Sequence, residues 1–413
     1  MTRVLIGDLS TGRRILDLPF QTLSWDDRLD TAETIQVKVD MQDPGVRALN
    51  LRNTATPAKA FLAVVEGDVI VAAGPLWART YDRDAATVEL GASGLASYYD
   101  HRLILPLLAA TIGVDQWTIP DPTDSTKTIP NPALSTAYTG IWLGTIAKRL
   151  VQQAHTWAGG SLPVVFPPDE SDGDADHERT YLGADFKPVG EAISDLMNVD
   201  GGPEVNFQPR FTADRLGVEW VMQVGTVAQP LLFSQQHVQW DLTVPKSPVS
   251  NLTISGDASK MGSWSWATGG RQSDDVLVAR AYDSTLVDAG FPVMDVLDTS
   301  HTSVSVQSTL DGYAAANAVQ GRQVSETWEF TVQAYPIDEN GFPAGPQLTN
   351  WNVGDFCDLH VASYAPPTDD EPGRGDPWLE GGDAPYALRI VGRSGDENGV
   401  DVKVQCAPIL VTL

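Results

Sequence analysis

The sequence contains few basic residues. Of its 413 residues, 27 are lysine or arginine and 54 are aspartate or glutamate, which gives a net charge of −27 at pH 7. This excess of negative charge repels the phosphate backbone of nucleic acids, so tight binding of DNA or RNA is not expected. The charge is consistent with solubility alone, and also with a surface along which a polyanion passes without binding.

The sequence also lacks a long hydrophobic run. The longest one, Leu103 to Ile112, is interrupted by Pro106 and is too short to cross a bilayer. Near the N-terminus only residues 4–6 are apolar before a Gly-Asp pair, so no secretory signal is recognised. We therefore expect a soluble chain that is made in a cytoplasm and does not insert into a membrane.

Cysteine is scarce, with Cys357 and Cys406 as the two thiols. Each alternates with apolar residues in a strand-like segment, which predicts two small hydrophobic side chains that point inward. A cross-strand disulfide is the alternative, but a reducing compartment disfavours it.

Catalytic and metal-binding motifs are not recognised. The histidines do not stand in an H-E-x-x-H or H-x-H spacing, and G-x-S-x-G and P-loop patterns are missing too. The histidines are His101, His155, His177, His237, His301 and His360. We therefore expect no enzyme, no catalytic residue, no cofactor and no metal. A glycosidase with two carboxylates stays open, because 54 acidic residues always allow a pair.

An acidic segment at residues 169–178 has oxygen ligands at alternate positions, as Ca²⁺ sites do. An EF-hand loop that began at Asp172 would need glycine at its sixth position, where His177 stands. We interpret the segment as a solvated loop. Its acidic residues are Asp169, Glu170, Asp172, Asp174, Asp176 and Glu178.

Two short motifs are interpreted as chance matches. Arg374-Gly375-Asp376 matches an adhesion tripeptide, but it lies in a loop rich in glycine, proline and aspartate. Asn251-Leu252-Thr253 matches a glycosylation sequon, which has no meaning without secretion.

The composition, with 36 glycines and 28 prolines, favours strands and turns over helices. The same order of β patterns occurs twice: an alternating strand, an apolar strand next to a Gly-Asp turn, and a hairpin. These segments are 34–39, 60–68 and 76–90 in the first occurrence, and 327–333, 353–361 and 386–406 in the second. The order and the alternation match, whereas the residue identities do not. Because small β-barrels commonly share this pattern, chance similarity stays open.

Three helices are predicted between and beside these β segments. The spacing of apolar residues indicates a helix from about Gly140 to His155, with Thr139 as its N-cap. A second helix is predicted from Pro188 to about Asn198 and ends at a Gly-Gly pair. A third, rich in alanine, is predicted near residues 309–320.

The sequence contains twelve tryptophans. In a sugar-binding protein they would line a platform, but several fall inside or beside strand patterns. We therefore expect most of them to be core residues or interface anchors. The tryptophans in strand patterns are Trp25, Trp77, Trp220, Trp328 and Trp351.

Several segments follow one another along the chain: GASGLASYYDHRLI (91–104), the stretch 179–209, SNLTISGD (250–257) and NVGDFCDLHV (352–361). Their order resembles that of the tail hub proteins, or minor tail proteins, of long-tailed phages. These are similar in fold to the baseplate hub of contractile tails and to the N-terminal hub part of tail-associated lysins. The resemblance covers essentially the whole chain.

The resemblance implies a mainly β fold with α+β inserts, which has two small β-barrel domains and two α+β domains per chain. We expect a first, tube-docking β-barrel at 1–104 and an α+β insert at 105–204. Residues 205–260 and 326–413 would form the second β-barrel, and 261–325 a small α+β domain. Three such chains present six similar surfaces, which would allow a three-fold ring to join a six-fold tail tube.

The resemblance also implies the partners. They are two further copies of the chain, the distal tail and tail tube proteins, the tape measure protein, and tail fibre or spike proteins. Phage DNA would pass through the ring without specific binding, and the protein would reside at the virion tail tip after assembly in the host cytoplasm. Many relatives continue into a lysozyme, peptidase or fibre-attachment domain. Because this sequence ends at QCAPILVTL, we expect no cell-wall hydrolysis, and fibre attachment would use the barrels or loops such as 363–384.

Two alternatives remain. Within the same class, the chain could be a distal tail or receptor-binding protein. In a different class, it could be an acidic carbohydrate-binding protein or a glycoside hydrolase.

Overall fold

The computed structural model describes most of the chain. The described residues are 2–29, 31–170, 175, 177–199, 201–234, 236–244, 246–272, 275–301, 304, 306–365, 375–379 and 384–409.

Strands make up most of the regular structure, as predicted. They are β1 (Thr2–Asp8), β2 (Arg14–Leu18), β3 (Thr22–Arg28), β4 (Thr34–Asp40), β5 (Ala60–Glu66), β6 (Val69–Asp82), β7 (Thr87–Ser93), β8 (Thr118–Pro120), β9 (Thr128–Pro130), β10 (Thr136–Thr139), β11 (Val164–Val165), β12 (Glu178–Tyr181), β13 (Val205–Phe211), β14 (Val218–Val224), β15 (Val238–Asp241), β16 (Val249–Asp257), β17 (Trp264–Gln272), β18 (Asp275–Tyr282), β19 (Asp295–His301), β20 (Ser325–Gln333), β21 (Phe356–His360), β22 (Tyr386–Asp396) and β23 (Asp401–Pro408).

The helices are fewer and mostly short. The α-helices are α1 (Pro44–Ala48), α2 (Leu51–Thr54), α3 (Ala96–Tyr99), α4 (Leu143–His155), α5 (Val189–Met197), α6 (Thr285–Asp288) and α7 (Gln307–Gln320). Short 3₁₀ helices lie at Leu107–Ala110, Val114–Gln116, Pro132–Leu134, Gly183–Asp185 and Leu348–Asn350.

Two sets of six strands share one topology. In chain order, the first set is β1, β3, β4, β5, β6 and β7, and the second is β15, β16, β20, β21, β22 and β23. The neighbours in the sheet run β3-β4-β7-β6-β5-β1 in the first set and β16-β20-β23-β22-β21-β15 in the second. The predicted repeat is therefore confirmed at the level of topology. We call the two sets the first and second β unit.

The pairing directions also agree, except at one end of each unit. The four pairings from β3 to β5 and the four from β16 to β21 are all antiparallel. The last pairing differs, because β1 is antiparallel to β5 whereas β15 is parallel to β21. The two units therefore have nearly the same arrangement of strands, although their residue identities do not match.

A β-bulge interrupts the same strand in both units. It lies between Leu76 and Ala78 in β6 and between Ile390 and Gly392 in β22. Leu76 faces β7 just as Ile390 faces β23, so Ala78 of the first unit corresponds to Gly392 of the second. A bulge bends and twists its strand, and each long strand therefore has two segments that can pair with different neighbours.

The two units form one open sheet and not two separate closed barrels. In the described residues the hydrogen-bonded order runs from β16 at one end to β2 at the other, with β15 and β21 as a branch. The reason is that β3 of the first unit pairs with β22 of the second. The predicted mainly β fold with α+β inserts is confirmed, whereas closure of each unit into a barrel is not seen.

The inserted part between the units packs against the first unit. Helices α4 and α5 share a hydrophobic core with one face of β5, and in this core Phe61 of β5 contacts Trp220 of β14 edge-on. Strands β13 and β14 form a separate sheet with β11, although the sequence grouped residues 205–260 with the second unit. Burial of alternate residues in β13 and β14 against this core explains the arrangement.

The helix predicted from Gly140 begins later. Helix α4 starts at Leu143 with Trp142 as its N-cap residue, so Thr139 is not the cap. Thr139 belongs instead to β10, where it pairs with Glu178 of β12. The prediction failed because Gly140 has a positive φ of 68° and turns the chain between strand and helix.

Residues 261–325, which were predicted to be a small α+β domain, contain a sheet that the sequence did not predict. Its order is β18-β17-β19, and α7 covers it. The alanines of α7 allow close packing, since Ala314 is fully buried beside Ala267 and Leu310. Strand β17 escaped detection because two glycines interrupt its alternation. Strand β18 has apolar residues on both faces, since Val278 and Tyr282 are about half exposed, so it shows no alternation of polar and apolar residues.

Candidate functional site: the junction of the two β units

The two β units join where β3 pairs with the second half of β22. The first half of β22, residues 386–389, pairs with β21. Beyond the bulge, residues 392–396 pair with residues 24–28 of β3 in antiparallel register. One strand therefore holds both units in a fixed relative position.

A buried ion pair spans this junction. Arg393 Nε donates to Asp27 Oδ2 at 3.0 Å, and the two side chains are only 5% and 10% exposed. Arg393 also donates to the Trp351 carbonyl oxygen at 2.9 Å, and its guanidinium lies 5.6 Å from the centre of the Trp351 ring. A buried ion pair needs such additional hydrogen bonds because both charges have lost water. The pair therefore fixes the register of β3 against β22.

A second carboxylate lies beside this pair. Glu33 is 7% exposed, and one of its oxygens accepts a hydrogen bond of 3.0 Å from the Ala73 backbone N–H. Burial raises the pKa of Glu33 well above its usual range, and the nearby Asp27 raises it further. Burial also raises the pKa of Asp27, although Arg393 opposes that effect. The junction thus contains two carboxyl groups and one guanidinium.

A cavity of about 460 Å³ opens onto these groups. Its wall combines residues of the first unit, the insert and the second unit, so it lies where three parts of the chain meet. Asp27 is bonded to Arg393 and Glu33 to the Ala73 amide. Because both carboxyl groups already hold strands in place, the arrangement is suited to joining domains.

Titration of the buried Glu33 carboxyl group should make the free energy of unfolding depend on pH. The folded protein holds this proton more tightly than the unfolded chain, whose glutamate pKa is about 4.3. Its stabilising contribution is therefore complete below that pH and is lost as the pH rises through the raised folded pKa. We expect Glu33→Gln, which stays neutral and can still accept from Ala73, to flatten this decline. Urea unfolding at a series of pH values measures it.

The matched control for this experiment is Glu89→Gln, because Glu89 is a surface glutamate of the same sheet with an exposed side chain. It should leave the slope of stability against pH above about 4.3 unchanged. Parallel curves for wild type and Glu33→Gln in that range would contradict the assignment.

A second, partly buried ion pair connects the insert to the second unit. Arg389 donates to both carboxylate oxygens of Glu204, each at 2.6 Å, and the two side chains are 13% exposed. Arg389 also donates to the carbonyl oxygens of Leu232 and Gly354. This bidentate geometry is directional, so it sets the orientation of the insert.

Another cavity, of about 480 Å³, lies between the insert and the small domain. On its wall Lys187 forms ion pairs with Asp195 at 2.7 Å and Glu191 at 2.8 Å. The Tyr313 hydroxyl of α7 donates to the Asp195 carbonyl oxygen at 2.9 Å. The Tyr313 hydrogen bond holds α7 against α5, whereas both Lys187 ion pairs lie within the insert.

The outer face of the long sheet is polar, and three of its basic residues are ion-paired. Alternation along the strands directs one set of side chains into the core and the other outward. On the outward face Arg28 pairs with Asp26 at 2.7 Å, Lys38 with Glu89 at 3.1 Å, and Lys403 with Glu329 at 2.6 Å. Each of these positive charges is therefore matched by a carboxylate.

The acidic segment behaves as a structural loop where it is described. Asp169 forms ion pairs with Lys148 and Arg149, and Glu170 accepts from the Val227 backbone N–H at 2.8 Å. Asp172, Asp174 and Asp176 lie outside the described residues. Within the described ranges, no cluster of three or more His, Cys, Asp or Glu side chains is arranged to hold a metal ion.

Of the tripeptide, Arg374 lies outside the described residues. Asp376 accepts hydrogen bonds from the backbone N–H groups of Trp378 and Leu379, so it shapes its own turn.

No helix in the described part of the chain is long and apolar enough to cross a membrane.

Both cysteines lie in the core, as predicted, and so do four of the five tryptophans that were assigned to strand patterns. Cys357 and Cys406 are free, fully buried thiols whose sulfur atoms lie 3.8 Å apart. Burial raises the pKa of Cys406 well above its usual value.

Among the tryptophans of the predicted set, Trp77 is half-buried and its indole N–H donates to the Ser97 hydroxyl at 2.8 Å. The buried tryptophans of the predicted set are Trp25, Trp220, Trp328 and Trp351.

The charged residues of the junction were not predicted from the sequence. Asp27 follows Leu23 and Trp25 in the inward phase of β3, which is a signal for a buried carboxylate. Arg393 gave no such signal, because the bulge at Gly392 shifts the phase of β22. Glu33 lies just before β4 and shows no pattern at all.

Solved structures with a fold similar to that of this chain are known. No protein-family model matches the sequence, and no curated protein matches it. The tail protein from Neisseria meningitidis MC58 is 13% identical over 98% of this chain and 96% of that chain, with a TM-score of 0.51. The 43 kDa tail protein of prophage MuSo2 from Shewanella oneidensis is 10% identical over 98% of each chain, with a TM-score of 0.53. At these identities the likeness concerns the fold.

Proposed function

We propose that this chain, which has the fold of phage tail proteins, is a structural protein of the virion that forms a three-fold ring at the tail tip. In this role it is a hub and not an enzyme. It joins the six-fold tail tube on one side to three-fold components on the other. Its partners are the tube, distal tail and tape measure proteins, together with fibres or a spike.

The observation that carries this proposal is the duplicated topology of the two β units. Three chains contain six such units, so a ring of three chains presents six similar surfaces to a tube with six subunits per layer. The buried ion pair between Arg393 and Asp27 supports this role, because it keeps the two units of each chain at a fixed angle. In the proposed division, residues 1–104 form the first tube-docking unit, and the second β unit presents the equivalent surface.

The polar outer face of the sheet supports a channel for DNA. A duplex binds proteins mainly by exchanging condensed counterions for lysine and arginine. On this face Arg28, Lys38 and Lys403 are already paired with carboxylates, and the chain carries a net charge of −27. A ring with this face toward its centre would let DNA slide through without holding it.

Electron microscopy of the purified chain tests the proposal, with mass photometry as the measure of assembly. We expect particles of three chains, and class averages that show a ring with a central opening and six similar lobes. A stable monomer at micromolar concentration, or a ring of different symmetry, would contradict the hub function. A monomer with glycosidase activity would favour the enzymatic alternative.

A further inference from the structure

The junction inside the chain is a template for a contact between chains. In the second β unit, residues 392–396 of β22 accept β3 as an extra strand. The bulges show that residues 78–82 of β6 are the equivalent segment of the first unit. The strand equivalent to β3 is β16, the strand that precedes β20 as β3 precedes β4.

Both equivalent edges are open in the described residues of this chain. Strand β5 pairs with β6 only over residues 69–75, which leaves the same side of residues 78–82 without a neighbour. Strand β16 pairs with β20 and lies at the end of the sheet. Tyr81 is 60% exposed. Such open strand edges bind another strand readily.

We propose that β16 of one chain pairs with residues 78–82 of β6 in a second copy of this chain. The pairing is antiparallel, like that of β3 with β22. It rests on the proposed hub function, since the same contact repeated head to tail closes a ring. Carrying over the internal register places Ile254 opposite Tyr81, Ser255 opposite Thr80, and Thr253 opposite Asp82.

The side chains at the proposed contact complement each other on the core side. In the internal junction, Trp25 lies over Gly395, so closely that a Cβ atom on Gly395 would lie 2.7 Å from the tryptophan ring. At the equivalent position between chains, a smaller Ile254 faces a larger Tyr81. The large and small partners are exchanged, and the space is filled in both cases.

The charged residue of the junction is accommodated as well. Arg393 has Asp27 opposite it and forms the buried ion pair. The equivalent Arg79 donates instead to the carbonyl oxygens of α2 and its flank, at 3.2 Å to Leu51, 2.7 Å to Arg52 and 2.9 Å to Ala55. The guanidinium of Arg79 therefore needs no carboxylate from the neighbouring strand. The register taken from the internal junction places Gly256 opposite Arg79.

The second copy is the occupant that this evidence selects. The two open edges belong to the same chain, and each is the topological equivalent of one strand of the internal junction, with the large and small side chains exchanged between them. One β16 and one β6 edge per chain give one contact for every neighbour in a ring. An unrelated strand would share the backbone pairing but not the fit of Ile254 to Tyr81.

Two substitutions that introduce opposite charges at the proposed contact test the register of the strand pairing. Tyr81→Lys and Ile254→Glu each place a charge against an apolar partner, and each should weaken self-association at least tenfold. The double variant places Lys opposite Glu and should recover association to within about threefold of wild type. Mass photometry and sedimentation velocity measure the assembly. Phe342→Lys, at a 67% exposed aromatic residue outside the contact, is the control and should assemble normally.

The possible results separate this inference from the hub function. If wild type forms trimers and Tyr81→Lys does as well, the strand pairing is wrong while the hub function stands. Failure of the double variant to recover, with circular dichroism spectra like that of wild type, also overturns the register. If the wild-type chain stays monomeric at all concentrations, both proposals fail. Since Tyr81 is exposed, Tyr81→Lys tests the contact even if Ile254→Glu impairs folding.

Discussion

Replacing Arg393 with methionine is expected to lower the free energy of unfolding by about 3–5 kcal/mol. The substitution keeps a long apolar side chain but leaves the buried Asp27 without its cation. Glu33, whose pKa is raised by burial and by Asp27, lies in the same cavity wall, so two carboxyl groups would share a site without a positive charge. Urea unfolding at neutral pH, followed by far-UV circular dichroism, measures the loss.

The direction of the effect with pH is part of this prediction. In acid both carboxyl groups are protonated in the variant, and the missing cation no longer matters electrostatically. The difference between wild type and Arg393→Met should therefore shrink as the pH is lowered. A difference that is constant with pH would indicate lost packing against Trp351 instead of an unpaired charge.

The control is Arg28→Met in the same strand pairing. Arg28 lies opposite Gly392, but its side chain is 52% exposed and pairs with Asp26 at the surface. Exposed ion pairs contribute about 0–1 kcal/mol, so this variant should be nearly as stable as wild type. If Arg393→Met were also within about 1 kcal/mol of wild type, the junction would not depend on the buried pair.

Replacing Trp220 with alanine should cost about 3–5 kcal/mol. Its side chain is fully buried, and its ring contacts Phe61 edge-on with 5.5 Å between ring centres. Its indole N–H donates to the Ala73 carbonyl oxygen at 3.1 Å. Since Trp220 belongs to the insert while Phe61 and Ala73 belong to the first unit, the truncation opens a cavity between them. Chemical denaturation measures the loss.

Two further variants separate the contributions at this position. Trp220→Phe keeps most of the buried ring but removes the hydrogen bond to Ala73, so it should cost less than alanine. Trp378→Ala removes a tryptophan that is 84% exposed, and it should change stability by less than about 0.5 kcal/mol. Equal losses for Trp220→Ala and Trp378→Ala would refute a shared core of insert and first unit.

How far the sequence predicts this protein is seen by comparing two segments. Residues 34–39 alternate cleanly, and the structure has a strand there, because one buried face and one exposed face impose a period of two. Three strands also lie within residues 264–301, but no local pattern revealed them, because glycines interrupt β17 and apolar residues occupy both faces of β18. Local periodicity is readable only where one face packs against a continuous core.

The candidate site shows the same limit more sharply. The inward position of Asp27 was readable from Leu23 and Trp25 in the same strand, whereas its partner Arg393 lies 366 residues away. The bulge before Arg393 also removed the phase that would have marked it as buried. No local rule connects two such residues, since their contact exists only when β3 lies beside β22.

The sequence by itself determined the β character of the chain, its buried tryptophans and thiols, its excess of negative charge, and the order of the repeated strands. These features depend on side-chain polarity and on spacings of a few residues, which the linear order preserves. Only the tertiary structure decided that the two units share one sheet and are joined by a buried ion pair, and that each leaves an open edge. Those features arise from contacts between residues hundreds of positions apart, and such contacts are fixed by packing of the whole chain.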